Sequence, residues 1–104
     1  MSTNELLNVF TEEIRQMYYE DYEVKYMVSY ISDEIELAGG DDTYNVEYDV
    51  TITAQEVTED EERSCVRYWE KCSVDVVIKA ISKYNEEKDQ YEEIYNYKAY
   101  EKAS

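Results

Sequence analysis

Histidine and proline are absent from this chain, glycine and cysteine occur twice each, and lysine and arginine together number 10 against 26 aspartates and glutamates. Each shortage closes off a class of protein. Without histidine, a serine or cysteine nucleophile loses its usual general base, and Cys65 and Cys72 alone cannot complete a four-ligand zinc site. Arg63 and Arg67 lie near Cys65 and could lower its pKa, but no base or orienting partner can be named, so two reduced, half-buried structural thiols are expected. No apolar run approaches the roughly 20 residues of a membrane-spanning helix, and Met1 to Phe10 has neither the basic start nor the continuous apolar centre of a signal peptide. The expected address is the cytoplasm.

Motifs for other chemistries are equally thin. Gly39-Gly40, the one glycine-rich turn, runs into Asp41 and Asp42, whose carboxylates repel phosphate. Asp41, Asp42 and Glu47 do not have the spacing of a calcium loop. Glu23-Val24-Lys25 matches the second half of a metal-dependent nuclease motif, but a nuclease also needs a basic footprint to attract the polyanion it cuts. The expectation is a protein with no catalytic activity, no cofactor and no metal.

What the chain does have is negative charge and tyrosine. Its formal net charge is −16 over 104 residues, with 13 tyrosines and a hydrophobic fraction of 43%. Acidic chains that stay unfolded are poor in aromatics and rich in proline and glycine, so this one is expected to fold, as one domain over residues 1–104. The charge is concentrated: residues 1–25 hold six acids and two bases, residues 26–62 twelve acids and no base, and residues 63–104 eight of each. Such a field repels nucleic acid and anionic membranes and attracts basic proteins. Like charges packed without relief also oppose folding, and neighbouring carboxylates should raise one another's pKa values.

Periodicity predicts an α+β fold. Ser2 with Glu5 has capping-box spacing, and Leu6, Leu7, Phe10, Ile14, Met17 and Tyr18 recur at helical steps, so residues 2–19 read as an amphipathic helix. Residues 22–31 fit helix or strand, with valine and tyrosine favouring strand. Ser32 and Asp33 suit a turn, and Glu34 to Leu37 alternates with Ile35 and Leu37 inward. Residues 45–55 give the clearest strand, with Val46, Tyr48, Val50, Ile52 and Ala54 on one face and Glu47 and Asp49 on the other. Residues 65–72 are open between strand and helix. Val74, Val77, Ile78 and Ile81 suggest a helix capped by Ser73, and residues 91–100 are assigned to helix over strand. The expected architecture is an N-terminal helix, a small antiparallel sheet of three or four strands, and a C-terminal helix or helices.

Carboxylates on neighbouring strands can imitate a row of phosphates, because same-face residues repeat at about 6.6 Å, close to two base steps of about 3.4 Å. The candidate partner-binding residues are Asp33, Glu34, Glu36, Asp41, Asp42, Glu47, Asp49, Glu56, Glu59, Asp60, Glu61 and Glu62, with Tyr44 as an aromatic anchor within the block and Tyr30 at its edge. Tyr22, Tyr26 and Tyr48 are expected to pack on the sheet. In size, acidity, tyrosine content and helix-strand order the chain resembles the phage-encoded DNA mimics that block host defence nucleases, the anti-CRISPR and antirestriction proteins. That resemblance implies a cytoplasmic monomer or homodimer in the bacterial host, binding a CRISPR effector or restriction enzyme through its basic nucleic-acid surface, without binding nucleic acid or membrane itself. The alternative is an acidic protein-binding module, such as an immunity-type inhibitor of a basic toxin. A structural oligomer would instead use the tyrosines at 95, 97 and 100.

Overall fold

A computed structural model describes residues 2–61 and 64–97. The fold is α+β: helix α1 (Thr3–Asp21) precedes strands β1 (Val28–Gly39), β2 (Asp42–Glu61), β3 (Ser64–Asn85) and β4 (Gln90–Asn96), which form one antiparallel meander in the order β1-β2-β3-β4. Helix α1 begins as its sequence requires. The Glu5 backbone N–H donates to Ser2 Oγ at 3.2 Å, satisfying one of the first-turn donors that have no partner within the helix. Leu6, Phe10 and Ile14 form its buried stripe, joined by the half-buried Leu7 and Tyr18.

The core lies between that stripe and one face of the sheet. Tyr44, Val46, Tyr48, Val50, Ile52 and Ala54 of β2 alternate inward along the central strand, Val74, Ile78 and Ile81 come from β3, and Ile31, Ile35 and Leu37 of β1 pack at the margin. At about 25 cal/mol per Å² of apolar area, each such buried aliphatic side chain contributes on the order of 1.5–3 kcal/mol. The inward rings are also fitted to one another: the Tyr18 and Tyr48 hydroxyls hydrogen-bond at 2.8 Å, and Phe10 meets Tyr44 at a centroid separation of 5.5 Å.

Turns follow the same local logic. Gly39 pairs with Asp42, leaving a two-residue hairpin turn whose first residue, Gly40, has φ +67°, a conformation open to glycine at no steric cost. At the β3–β4 turn, Asn85 Oδ1 accepts from the backbone N–H groups of Glu87 and Lys88 at 3.0 and 3.3 Å.

Four sequence expectations are corrected. The expected C-terminal helices are not formed where the sequence placed them: residues 73–81 lie in β3 and residues 91–96 form β4, while residues 98–100 of that expectation lie outside the described residues. Ser32 and Asp33 do not turn the chain but continue β1, paired with Asp49 and Tyr48. Residues 22–27 connect α1 to β1 outside any strand. The apparent helical phase of Val74, Ile78 and Ile81 has a structural cause. Val74, Val76 and Ile78 alternate as a strand should, then a register shift passes over Lys79 and moves the inward position to Ile81. One bulge inside a strand therefore imitates a step of three.

The molecule is elongated. Its radius of gyration is 17.9 Å, against about 13 Å for a compact domain of 100 residues. The 20 residues of β2, at about 3.3 Å each, match the 64 Å long axis, whereas the 19-residue helix reaches only about 28 Å. Beyond Ala54 and Lys71, β2 and β3 continue past the end of β1 as a two-stranded ribbon. No helix among the described residues is long and apolar enough to cross a membrane.

Candidate protein-binding face

Helix α1 covers one face of the sheet and leaves the other open. Strand alternation and the observed register place Val28, Tyr30, Ser32, Glu34 and Glu36 of β1 on the open face, beside Asn45, Glu47, Asp49 and Thr51 of β2. From β3 come Asp75, Val77, Ser82 and Tyr84, and from β4 Tyr91 and Glu93. Six carboxylates of the described residues thus share this face. Their rows are specific: Glu34 stands directly opposite Glu47, Ser32 opposite Asp49, and Glu36 opposite Asn45.

Among the described residues, most bases of β3 lie on the other side. Asp42 and Tyr44 share the helix-covered side of β2, and Lys83, whose register partner is Tyr44, bonds Asp42 there at 3.4 Å. Lys71 reaches the end of α1, and Arg67 pairs with Glu56 at 3.9 Å on the projecting ribbon. Among the described residues only Lys79, in the β3 bulge, meets an open-face carboxylate, bonding Asp49 at 3.2 Å. Asp49 also accepts from Ser32 Oγ at 2.6 Å, and that hydrogen bond, more than Lys79, holds its pKa below the ordinary carboxylate value. Mutual raising of carboxylate pKa values is therefore not what governs Asp49. The base-free run of residues 26–62 is partly relieved in space, by Lys79, Lys83 and Arg67 reaching over from β3.

Glu34 and Glu47 make no ion pair among the described residues, although Lys79 borders the same shallow depression. Glu34 accepts only from Asn45 Nδ2 at 3.3 Å, and Glu47 has no ion-pair partner among the described residues. Directly opposed like charges on adjacent strands oppose pairing by roughly 0.2–1 kcal/mol. Further along, Glu36 on one edge strand lies close enough to the Tyr91 hydroxyl on the other to help raise its pKa, a proximity that a flat sheet with about 14 Å across three strand spacings would not give. The sheet curls toward the acidic face. Burial, then the nearby Glu36 carboxylate, raise the Tyr91 pKa.

The sequence candidates divide accordingly. Glu34, Glu36, Glu47 and Asp49 come together on the open face. Asp33 falls on the opposite face at the edge of β1, with Tyr48 as its register partner, and Asp41 and Asp42 lie at the hairpin end. Glu56 and Glu59 stand on the projecting ribbon, Glu59 accepting from the Tyr68 hydroxyl at 3.1 Å, so they are apart from the main cluster. Glu62, with the side chains of Asp60 and Glu61, lies outside the described residues, as do Cys65 as a side chain and Tyr100. Tyr44 is not an interface anchor: it is 5% exposed and packs against Phe10 in the core. Its parity is that of Val46 and Tyr48, which the β2 alternation already implied. Cys72 is exposed, not half-buried. Tyr48 is buried and Tyr22 packs at the core margin as expected, but Tyr26 is 70% exposed.

Sequence reading missed Asp75 and Glu93, because their segments looked helical, and gave too little weight to Tyr30. Carrying the two-residue period of β1 through Ser32 and Asp33 would have placed Tyr30 in line with Glu34 and Glu36. The architecture is thus a helix-backed antiparallel sheet with its second face uncovered, curled and acidic. Comparison with known protein families, curated proteins and solved structures yields no match.

Proposed function

We propose that the protein is a nucleic-acid-mimicking inhibitor, which uses the open sheet face to occupy the DNA- or RNA-binding surface of a basic protein, such as a CRISPR effector or restriction enzyme in the bacterial cytoplasm. The observation that carries this reading is the sorting of charge: among the described residues, six carboxylates and a single lysine stand on the uncovered face, with Glu34 and Glu47 left opposed. A face kept soluble by mixed charge needs no such arrangement. Along each strand Glu34 and Glu36, or Glu47 and Asp49, stand about 6.6 Å apart, and the adjacent strand supplies a parallel row. Lysines and arginines that grip phosphates find acceptors at comparable spacing. The inhibitor then competes with nucleic acid, and its affinity falls with salt.

A second reading has its own support. The Lys79–Asp49 pair interrupts the row that a phosphate mimic would keep clear, as would suit an acidic protein-binding module such as an inhibitor of a basic toxin. Mobility-shift titrations of a panel of purified restriction enzymes and CRISPR effectors on their DNA, with and without the protein, decide between them. Under the first reading the protein releases DNA from its target, excess DNA reverses the inhibition, and the protein alone shifts no DNA. Inhibition that no excess of nucleic acid reverses would favour the second.

A further inference from the structure

Tyrosine rings ordinarily bury most of their surface, yet across the junction of the α1–β1 connector and β1 four apolar side chains within five residues face water. Tyr26 is 70%, Met27 68%, Val28 43% and Tyr30 80% exposed. Nothing in the fold requires this. Tyr30 has only Thr51 opposite it and Val28 only Thr53, so both stand on the open face with no large neighbour in register. Along the same face, the next two pairs after Tyr30 and Thr51 are Ser32 with Asp49 and Glu34 with Glu47. An aromatic patch is therefore continuous with the acidic rows, at one end of them.

We infer that this patch is the anchor of the interface: the partner is a basic protein whose cationic groove ends in an apolar socket, which takes Tyr30 with Val28 beside it while the groove lies along Glu34, Glu47 and Asp49. The inference rests on the proposed function and adds what that reading lacks, a source of specificity. Carboxylate rows alone attract any basic surface and lose that attraction in salt. A ring inserted in a dry pocket is insensitive to salt, and tyrosine is among the residues that dominate interface energies. Charge complementarity decides the occupant. A second copy of this chain docking on the patch would bring its own acidic rows against these, whereas a basic groove meets them with opposite charge.

The test uses two synthetic peptides of equal length and equal arginine and lysine content, one otherwise of glycine and serine, the other carrying a leucine-isoleucine end. Binding is measured by fluorescence anisotropy at low and high salt for the native chain, Tyr30→Ser, and Glu34→Lys/Glu47→Lys. The native chain is expected to bind the apolar-ended peptide at least about tenfold more tightly, an advantage that survives high salt and disappears in Tyr30→Ser. The doubly charge-reversed chain should weaken both peptides while keeping the ratio between them. Equal affinity of the native chain for the two peptides, or a ratio unchanged in Tyr30→Ser, overturns the anchor and leaves the acidic-face reading standing. Unchanged binding in the charge-reversed chain overturns the acidic-face reading instead. A concentration-dependent dimer in sedimentation that Tyr30→Ser abolishes would make the patch a self-interface and overturn the inference. Because Tyr30 lies outside the core, matched melting curves for native chain and variant show that any loss is one of contact and not of folding.

Discussion

Helix α1 ends without the glycine cap that commonly closes helices and with no basic residue in its last turn, yet its terminal carbonyls are not left to water. Lys71, on β3, donates from Nζ to the carbonyl oxygens of Tyr18 at 2.8 Å and Tyr19 at 2.6 Å, and lies 5.9 Å from the centre of the Tyr19 ring. Replacing Lys71 by Met keeps most of the aliphatic stem and removes the ammonium. Hydrogen bonds from a charged group are worth about 1.5–3 kcal/mol, a cation at a helix C-terminus about 0.3–1, and an exposed cation–π contact about 0.5–1. The three describe one overlapping interaction at a partly solvated site and do not sum. A loss of about 2 kcal/mol is the reasoned value, large beside the 5–15 kcal/mol typical of whole domains. Urea denaturation followed by circular dichroism should show a lower midpoint with an unchanged slope, and heating a melting temperature lower by about 10 °C. Lys71→Arg should recover part of the loss. If Lys71→Met has the midpoint of the native chain, the capping role assigned to this residue is wrong, and the helix is held by its apolar stripe alone.

Glu47→Lys should separate stability from binding. It turns the opposed Glu34/Glu47 pair into an attractive one, raising stability by about 0.2–1 kcal/mol in thermal melts, while weakening affinity for a basic partner; a drop in both would mean that Glu47 supports the fold. Burial, together with the hydrogen bond that the Tyr48 hydroxyl donates to Tyr18, raises the Tyr48 pKa well above the ordinary phenol value. That contribution is present below about pH 10, where both folded and unfolded chains keep the proton, and is lost as pH climbs from there toward the folded-state value. Tyr48→Phe should therefore flatten the alkaline decline in melting temperature, and an equally steep decline would place its origin in other groups. Gly39→Ala should cost about 1–3 kcal/mol in urea titrations, since the added methyl would meet the Tyr44 ring at 2.9 Å and Leu6 Cδ2 at 3.0 Å; an unchanged midpoint would show that the helix yields freely there.

How much of this was readable from the chain depended on whether a local pattern stayed uninterrupted. Residues 44–54 keep a single two-residue phase, and both the strand and its buried side were legible. The helix likewise carried its own cap at Ser2 and a regular stripe. β3 was not legible because its bulges at Cys72 and Lys79 reset the phase twice, so that no window gave a clean alternation. The binding face was half legible for a related reason. Glu34, Glu36, Glu47 and Asp49 sit on strands whose parity was clear, whereas Asp75 and Glu93 depended on segments whose periodicity pointed to helix. Ion pairs to Lys79 and Lys83 join residues about 30 to 40 apart in sequence, a proximity that segment sums of charge do not contain. The exposed tyrosines show the limit of composition: Tyr44 and Tyr30 are the same residue in the same acidic block, and only the face on which each strand position falls separates a core ring from a free one.

The simple meander order has a consequence for how the chain reaches its fold. Every strand pairs with its neighbour in sequence, so the sheet can close hairpin by hairpin, each step closing a short loop at small entropic cost. Only the helix must return over a long distance, since Lys71 lies 52 and 53 positions from the carbonyls it holds. Sheet assembly can therefore run ahead of helix docking, and contacts between them belong to the late part of the reaction. Interactions formed late slow unfolding more than they speed folding. Lys71 then acts as a clasp on the finished molecule, setting how long the folded chain persists more than how quickly it forms.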